Sequence, residues 1–88
     1  MEDVHKILAT NLRLARFQAG VSQEDLAELV SIDRTYVSGI ERAVRNPTIA
    51  VVSRFAAALG VTTATLLTEG AYPLVTKSGD GVSGQDGN

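Results

Sequence analysis

The sequence predicts an all-α fold of five helices and a disordered C-terminal tail. Apolar residues recur at intervals of three and four, the spacing that places them on one face of a helix. Ser, Thr or Asp precedes several of these segments, and glycine ends two of them. At 88 residues the chain is long enough for one domain and too short for a second active domain. We expect this domain to span residues 4–70, with residues 71–77 as a segment for packing or dimer contact.

The first helix is predicted to run from Val4 to Gly20. Its apolar face is formed by Val4, Leu8, Leu12, Ala15 and Ala19. Ser22 caps the second helix, and with Asp25 three residues later it resembles a capping box. The buried side of the second helix is formed by Leu26, Ala27 and Val30.

The third helix is predicted to follow a turn at Ser31 and Ile32. Asp33 can cap this helix, which we expect to end near Ala43. Its inward-facing residues are Val37 and Ile40.

The fourth helix is predicted to begin after a loop at residues 44–47, because the residue before Pro47 is driven out of the helical region. Thr48 restarts the helix, and Gly60 ends it because glycine is free to adopt the left-handed conformation. The apolar side of this helix is formed by Ile49, Val52, Phe55, Ala56 and Leu59.

A short fifth helix is predicted after Thr62, its capping residue, and carries Leu66 and Leu67. From residue 78 the chain reads SGDGVSGQDGN, which has too little apolar surface to offset the entropy of ordering it. We therefore expect residues 78–88 to be disordered.

Composition narrows the function classes. The chain has no cysteine, which excludes a disulfide framework and a thiolate metal site. His5 is its only histidine and has no clustered acid–base partners, so we expect no enzyme, no cofactor and no metal site. No run approaches the roughly 18 apolar residues that span a bilayer, and we expect a cytoplasmic protein without a membrane partner. A net charge of −2 argues against a protein that coats nucleic acids non-specifically. For a protein that binds in a DNA groove, the local charge at the binding surface matters more than the net charge.

The segment from Ser22 to Arg42 contains two short helical patterns separated by about one turn. This spacing is typical of a helix-turn-helix, whose second helix lies in the DNA major groove while the first braces it across the backbone. We place the motif at residues 22–42 and predict sequence-specific binding of double-stranded DNA.

One side of the third helix is polar and is the predicted groove face. The predicted base-reading residues are Arg34, Thr35, Ser38 and Gly39. The guanidinium of Arg34 could donate two hydrogen bonds to guanine or contact a phosphate. Thr35 could contact a thymine methyl group or a phosphate. Glycine inside a helix lowers stability by about 1 kcal/mol relative to alanine. Its presence at position 39 therefore indicates that the helix backbone comes close to DNA there. The alternative is that Gly39 is a surface position that tolerates any residue.

A second set of residues is predicted to contact phosphates and to fix the position of the helix on DNA. These residues are Gln23, Tyr36, Arg42, Arg45 and Asn46. Gln23 lies in the first turn of the second helix, where backbone N–H groups favour anions. Tyr36 could equally pack on its neighbours, and the other residues could be ordinary solvated surface.

Four phrases carry a resemblance to a known family: SQEDLA, RTYVSGIER, NPT and ALGVT. From about Leu8 to Leu67 the chain resembles the lambda-repressor-like, or Cro/cI-type (XRE family), DNA-binding domain. The phrase DRTYVSGIERAVRNPT also resembles the controller proteins of restriction-modification systems. The resemblance implies a structural ion pair between Arg16 and Glu41. It also marks Ser31 as a departure, because the family often has glycine at the turn and a left-handed serine costs about 1 kcal/mol.

Groove readers of this size usually act as two-fold dimers, so we expect a homodimer on a pseudo-palindromic operator. The resemblance places the dimer interface on the fifth helix and the residues after it. These residues are Val61, Leu66, Leu67, Tyr72 and Leu74, with Val75 as a further candidate. The alternative is that they complete the core of one subunit.

Leu14 and Phe17 fall on the helical wheel opposite Leu8 and Leu12, so we expect both to be exposed. They could contact the segment after the fifth helix or a protein partner. This keeps a second function open, an antitoxin or a protein-binding adaptor with the same fold.

Overall fold

The computed structural model describes residues 3–72. These residues form five helices, which confirms the predicted all-α fold: α1 (Val4–Ala19), α2 (Gln23–Val30), α3 (Arg34–Glu41), α4 (Ile49–Leu59) and α5 (Thr63–Leu66). The predicted disordered tail at 78–88, most of the segment 71–77, and the interface candidates Leu74 and Val75 lie outside the described residues.

Each helix begins at a residue whose side chain accepts a hydrogen bond from a backbone N–H of the first turn. The capping residues are Asp3, Ser22, Asp33, Thr48 and Thr62. Gly20 and Gly60 end α1 and α4 in the left-handed conformation, each with a φ of 71°. These local signals set four helix starts and two helix ends where the sequence predicted them.

All five helices contribute to a single hydrophobic core. Its largest fully buried side chains are Phe55, Leu12, Leu26, Ile40, Leu66, Val37 and Val52. The predicted apolar faces extend too far at three positions: Val4 is 45% exposed, Ile49 is 66% exposed, and Ala19 is exposed. All three are terminal residues of their helices, so their side chains reach beyond the packed neighbours.

Helix α3 ends two residues before the predicted position. Ala43 has a φ of 61°, and the N–H of Val44 donates to the carbonyl of Gly39 at 2.9 Å. A left-handed residue followed by this hydrogen bond terminates a helix, and the position is normally a glycine. Alanine is the strongest helix former, so residue 43 itself gives no signal for this end, and the loop before Pro47 predicted it only approximately.

Two polar side chains fasten helices that are distant in sequence. Asn11 is buried, and its amide nitrogen lies 3.0 Å from the carbonyl oxygen of Leu66 and 2.8 Å from that of Thr68. Arg54 of α4 donates to the backbone carbonyl of Val30, the last residue of α2. Helix ends expose carbonyl groups without intrahelical partners, and these side chains satisfy some of them.

Candidate nucleic-acid interface

The turn between α2 and α3 sets the angle of the candidate interface. Ser31 adopts the left-handed conformation, with φ 62° and ψ 47°, and Ile32 donates its N–H to the carbonyl of Ala27 at 2.9 Å. Ala27 is only 4% exposed, because it lies where the two helices pack closely. A small side chain at this crossing lets the helix backbones approach. The helix-turn-helix geometry is therefore present, including the left-handed turn that the sequence places on serine.

The first turn of α3 projects Arg34 and Thr35 into solvent, and Ser38 one turn later is half-buried. Tyr36 is also half-buried and packs against the hydrophobic core. Three of the four predicted base-reading side chains thus have accessible surface on α3.

Asp33 holds the hydroxyl of Thr35 as well as its backbone. The Thr35 hydroxyl donates to Oδ1 of Asp33 at 2.6 Å, and the Thr35 N–H donates to the same oxygen at 2.8 Å. The side-chain hydrogen bond, followed by the backbone one, lowers the pKa of Asp33 below its ordinary value. Because its proton is directed at Asp33, the Thr35 hydroxyl can act towards other groups only as an acceptor, through its lone pairs, and the side chain also presents its methyl group.

Gly39 does not belong to the exposed base-reading surface, and that prediction is wrong. Gly39 is buried, and a Cβ built there would overlap Cγ of Arg45. The backbone at residue 39 is therefore covered by a side chain of the same molecule. The helical wheel placed Gly39 correctly on the polar side of α3, but a wheel cannot show that the loop after α3 folds back over this residue.

Arg42, Arg45 and Asn46 are all exposed at the end of α3 and in the loop that follows. Arg42 directly follows the last residue of α3, and the stem of Arg45 lies against Gly39 of the same helix. This places local positive charge beside the candidate base-reading residues in a chain whose net charge is −2.

The structure contains the ion pair that the resemblance implied. Arg16 donates through Nε to Oε2 of Glu41 at 2.7 Å and through Nη2 to Oε1 at 3.0 Å, with side chains 9% and 4% exposed. Arg16 also donates to the carbonyl of Val21 at 3.0 Å. Gln23 donates its amide to Oε1 of Glu41 at 3.0 Å. This network ties α1, α2 and α3 together, and the link to Gln23 was not foreseen from the sequence.

Sequence reasoning also missed Arg54, which caps the carbonyl end of α2 from α4. The available signal was its place as the one charged residue in the apolar segment IAVVSRFAAAL. A lone arginine among apolar helix residues often has a carbonyl or carboxylate partner, because its guanidinium needs hydrogen-bond acceptors when its aliphatic stem packs on the protein.

The candidate dimer residues are not all on the surface. Leu66 is 0% exposed and belongs to the core, so its assignment to an interface is wrong: α5 uses this side chain to pack on α1 and α4. Val61, Leu67 and Tyr72 are half-buried and lie at the edge of the core.

Leu14 and Phe17 differ from each other. Phe17 is 60% exposed, as expected, whereas Leu14 is half-buried and not fully exposed, because the broad buried face of α1 extends close to its position. The ring centroid of Phe17 lies 4.8 Å from the guanidinium carbon of Arg16. Phe17 therefore covers one side of the ion pair, which gives the exposed ring a role within the domain.

Within residues 3–72, no helix is long and apolar enough to cross a membrane. In the same part of the chain, no three Asp, Glu or His side chains are grouped as ligands for a metal ion.

The family model described as Helix-turn-helix matches residues 12–66, which include the turn at Ser31 and the complete ion pair. The chain belongs to this family. The match confirms the Cro/cI-type helix-turn-helix resemblance seen in the sequence.

Relatives within the family are regulators by name. The chain is 46% identical over 66 residues to a hypothetical transcription factor of Neisseria meningitidis serogroup B, covering 75% of this chain and 62% of the relative. It therefore spans only about three fifths of that protein. It is 41% identical over 66 residues to the control protein C.SmaI of Serratia marcescens, covering 75% of this chain and 79% of that protein.

Solved structures show the same similarity in three dimensions. A crystal structure of a hypothetical transcription factor from Neisseria superposes with a TM-score of 0.74 at 45% identity, covering 76% of this chain and 77% of that one. The restriction-modification controller protein C.Esp1396I, crystallised as a tetramer with its natural 35 base-pair operator, superposes with a TM-score of 0.67 at 33% identity. That alignment covers 75% of this chain and 87% of the controller chain.

Proposed function

We propose that this chain is a transcription regulator that binds double-stranded DNA sequence-specifically as a homodimer on a pseudo-palindromic operator. The observation that carries the proposal is the exposed face of α3, which presents Arg34 and Thr35 next to the arginines of the following loop. A helix of this kind fits the major groove, and a rigid helix-turn-helix holds it at a fixed angle. The proposed function is binding without catalysis, located in the cytoplasm with the DNA.

Arg34 is the proposed reader of guanine. It lies in the first turn of α3, is exposed, and has a planar group that can donate to O6 and N7 of guanine together. Thr35 is the proposed contact for a thymine methyl or for an amino group of adenine or cytosine, because its hydroxyl proton is occupied by Asp33. Ser38, one turn further on, can donate to or accept from a base.

Phosphate contacts are proposed for Arg42, Arg45 and Asn46, which lie beyond the reading face, with a smaller contribution from the Tyr36 hydroxyl. Gln23 remains a candidate as well. Its amide nitrogen has two hydrogens, and the bond to Glu41 uses only one of them. The second is free to reach a phosphate from the start of α2.

The homodimer is proposed because one short recognition helix covers few base pairs and two half-sites restore affinity. After the exclusion of Leu66, the interface candidates within the described residues are Val61, Leu67 and Tyr72. Sedimentation velocity at micromolar concentration tests this part. A chain that sediments as a monomer both alone and on a two-half-site duplex contradicts it.

Base reading is tested with Arg34→Ala and Arg42→Ala on a randomised pool of duplexes. Arg34→Ala relaxes the preference at one position in each half-site, which corresponds to about 1–3 kcal/mol of lost discrimination. Arg42→Ala weakens all sequences alike and lowers the salt dependence of binding by about one phosphate contact per subunit. Lys6→Ala, which removes an exposed positive charge from the first turn of α1, is the matched control. An unchanged sequence preference in Arg34→Ala refutes the assigned reading role.

The narrower biological role we propose is that of a restriction-modification controller. It is supported by the similarity to C.Esp1396I, which is named as such a protein, and to C.SmaI, which is named as a control protein. Genes for a methyltransferase and an endonuclease beside the coding sequence are the expected context. A neighbouring toxin gene would instead favour the antitoxin role, for which the 60% exposed Phe17 is the supporting observation.

A further inference from the structure

The stem of Arg45 lies on the backbone of Gly39. A Cβ built at Gly39 would overlap Cγ of Arg45 and come within 3.4 Å of its Cβ and Cδ. The three atoms nearest to that built Cβ all belong to Arg45. Gly39 is buried, whereas Arg45 is exposed overall, so the stem covers the helix and the guanidinium extends into solvent.

The same glycine also holds the backbone of the loop. Its carbonyl oxygen accepts from the N–H of Val44 at 2.9 Å and from the N–H of Arg45 at 3.2 Å. The left-handed residue Ala43 turns the chain so that both N–H groups point back to α3. Both the backbone and the side chain of Arg45 are therefore positioned by a single residue of the recognition helix.

Backbone freedom does not explain a glycine at this position. Gly39 lies inside α3 and has no positive φ, so any residue could adopt its conformation. Glycine there weakens the helix relative to alanine. What distinguishes glycine at this site is the space it leaves, and Arg45 fills that space.

We propose that Gly39 is a positioning residue for DNA recognition, whose missing side chain seats Arg45 against α3 so that the guanidinium meets DNA from a fixed place. A stem that is already held loses less conformational freedom when the complex forms. The inference rests on the proposed function, because it requires Arg45 to contact DNA.

The test is a double-mutant cycle with Gly39→Ala, Arg45→Ala and the two combined. The probe is the duplex that the wild-type chain enriches from a randomised pool, and binding is measured as a function of salt concentration. One phosphate contact contributes a slope of about −0.9, so Arg45→Ala lowers affinity about eightfold per half-site at 0.1 M salt. Gly39→Ala should lower affinity by a similar factor, since an added methyl group displaces the Arg45 stem.

The combined variant separates positioning from a structural role. In the Arg45→Ala background, Gly39→Ala should leave affinity unchanged within about twofold and raise the melting temperature, because the overlap is gone and alanine favours helix. Lys6→Ala serves again as the charge control. An equal loss in both backgrounds, or no loss in the wild-type background, overturns the inference.

Failure of the proposed function gives a different result. If the wild-type chain enriches no duplex, DNA binding itself is refuted. If it enriches a duplex that Arg45→Ala binds equally well, DNA binding stands and the positioning role of Gly39 is refuted.

Discussion

Replacing Glu41 with alanine measures how strongly the buried ion pair supports the helix-turn-helix. Glu41 accepts two hydrogen bonds from Arg16, at 2.7 and 3.0 Å, and one from Gln23 at 3.0 Å. Its removal leaves a side chain that is only 9% exposed, whose guanidinium keeps the hydrogen bond to the Val21 carbonyl and the contact with the Phe17 ring but has no carboxylate. Stranding a buried charge in this way costs about 3–5 kcal/mol.

This loss is large for such a small protein. At about 0.05–0.15 kcal/mol per residue, a folded domain of the size of residues 3–72 has a total stability of roughly 3.5–10.5 kcal/mol. With an m-value of about 1–3 kcal/mol/M in urea, the loss lowers the unfolding midpoint by at least about 1 M. Urea titration followed by circular dichroism measures it directly. Glu28→Ala, which removes an exposed carboxylate from α2, is the control and should change stability by less than about 0.5 kcal/mol.

The double variant Arg16→Met with Glu41→Leu completes the test. Two apolar side chains of similar volume leave no unpaired charge, so the double variant should be more stable than Glu41→Ala and close to wild type. If Glu41→Ala itself lies within about 1 kcal/mol of wild type, the ion pair does not hold the motif together and the reasoning is refuted.

Two further predictions concern local features of the motif. Ser31→Gly and Ala43→Gly each replace a left-handed residue, with φ values of 62° and 61°. Each variant should be about 1 kcal/mol more stable than wild type, which thermal unfolding shows as a rise of about 4–8 °C in melting temperature. A fall in melting temperature contradicts the strain at that position. Because Thr35 lowers the pKa of Asp33, the stability from the charged cap is fully present above the ordinary pKa of 3.8 and is lost as the pH falls through the lowered value. Urea titrations should therefore show that the free energy of unfolding of wild type falls relative to that of Asp33→Asn below pH 3.8. A difference between the two proteins that does not vary with pH contradicts this role.

The parts of the fold that the sequence predicted depend on neighbouring residues. Ser22, Thr48 and Thr62 cap their helices through N–H groups three residues ahead, so the signal and the structure lie in the same short segment. The exposed positions of Arg34 and Thr35 follow in the same way from helix geometry alone.

What could not be predicted depends on contacts between segments. Gly39 is buried only because a left-handed alanine returns the loop to α3, and no sequence pattern marks that alanine. Likewise, Leu66 belongs to the core because α5 packs on α1 and α4, which a four-residue helix cannot reveal from its own periodicity. The Gln23–Glu41 bond joins residues 18 positions apart and depends on the angle between two helices.

The buried amide of Asn11 has a consequence for how the domain could be joined to other proteins. It binds carbonyl groups of Leu66 and Thr68, so the last helix is fastened to α1, and its main contacts are with α1 and α4, not with α3. A fusion partner or a designed dimerisation module attached after Tyr72 is thus connected through this anchor, independently of the recognition helix. A module attached there leaves the base preference of each half-site as it is, while the proposed dimer contacts at Val61, Leu67 and Tyr72 continue to set the spacing between the two half-sites.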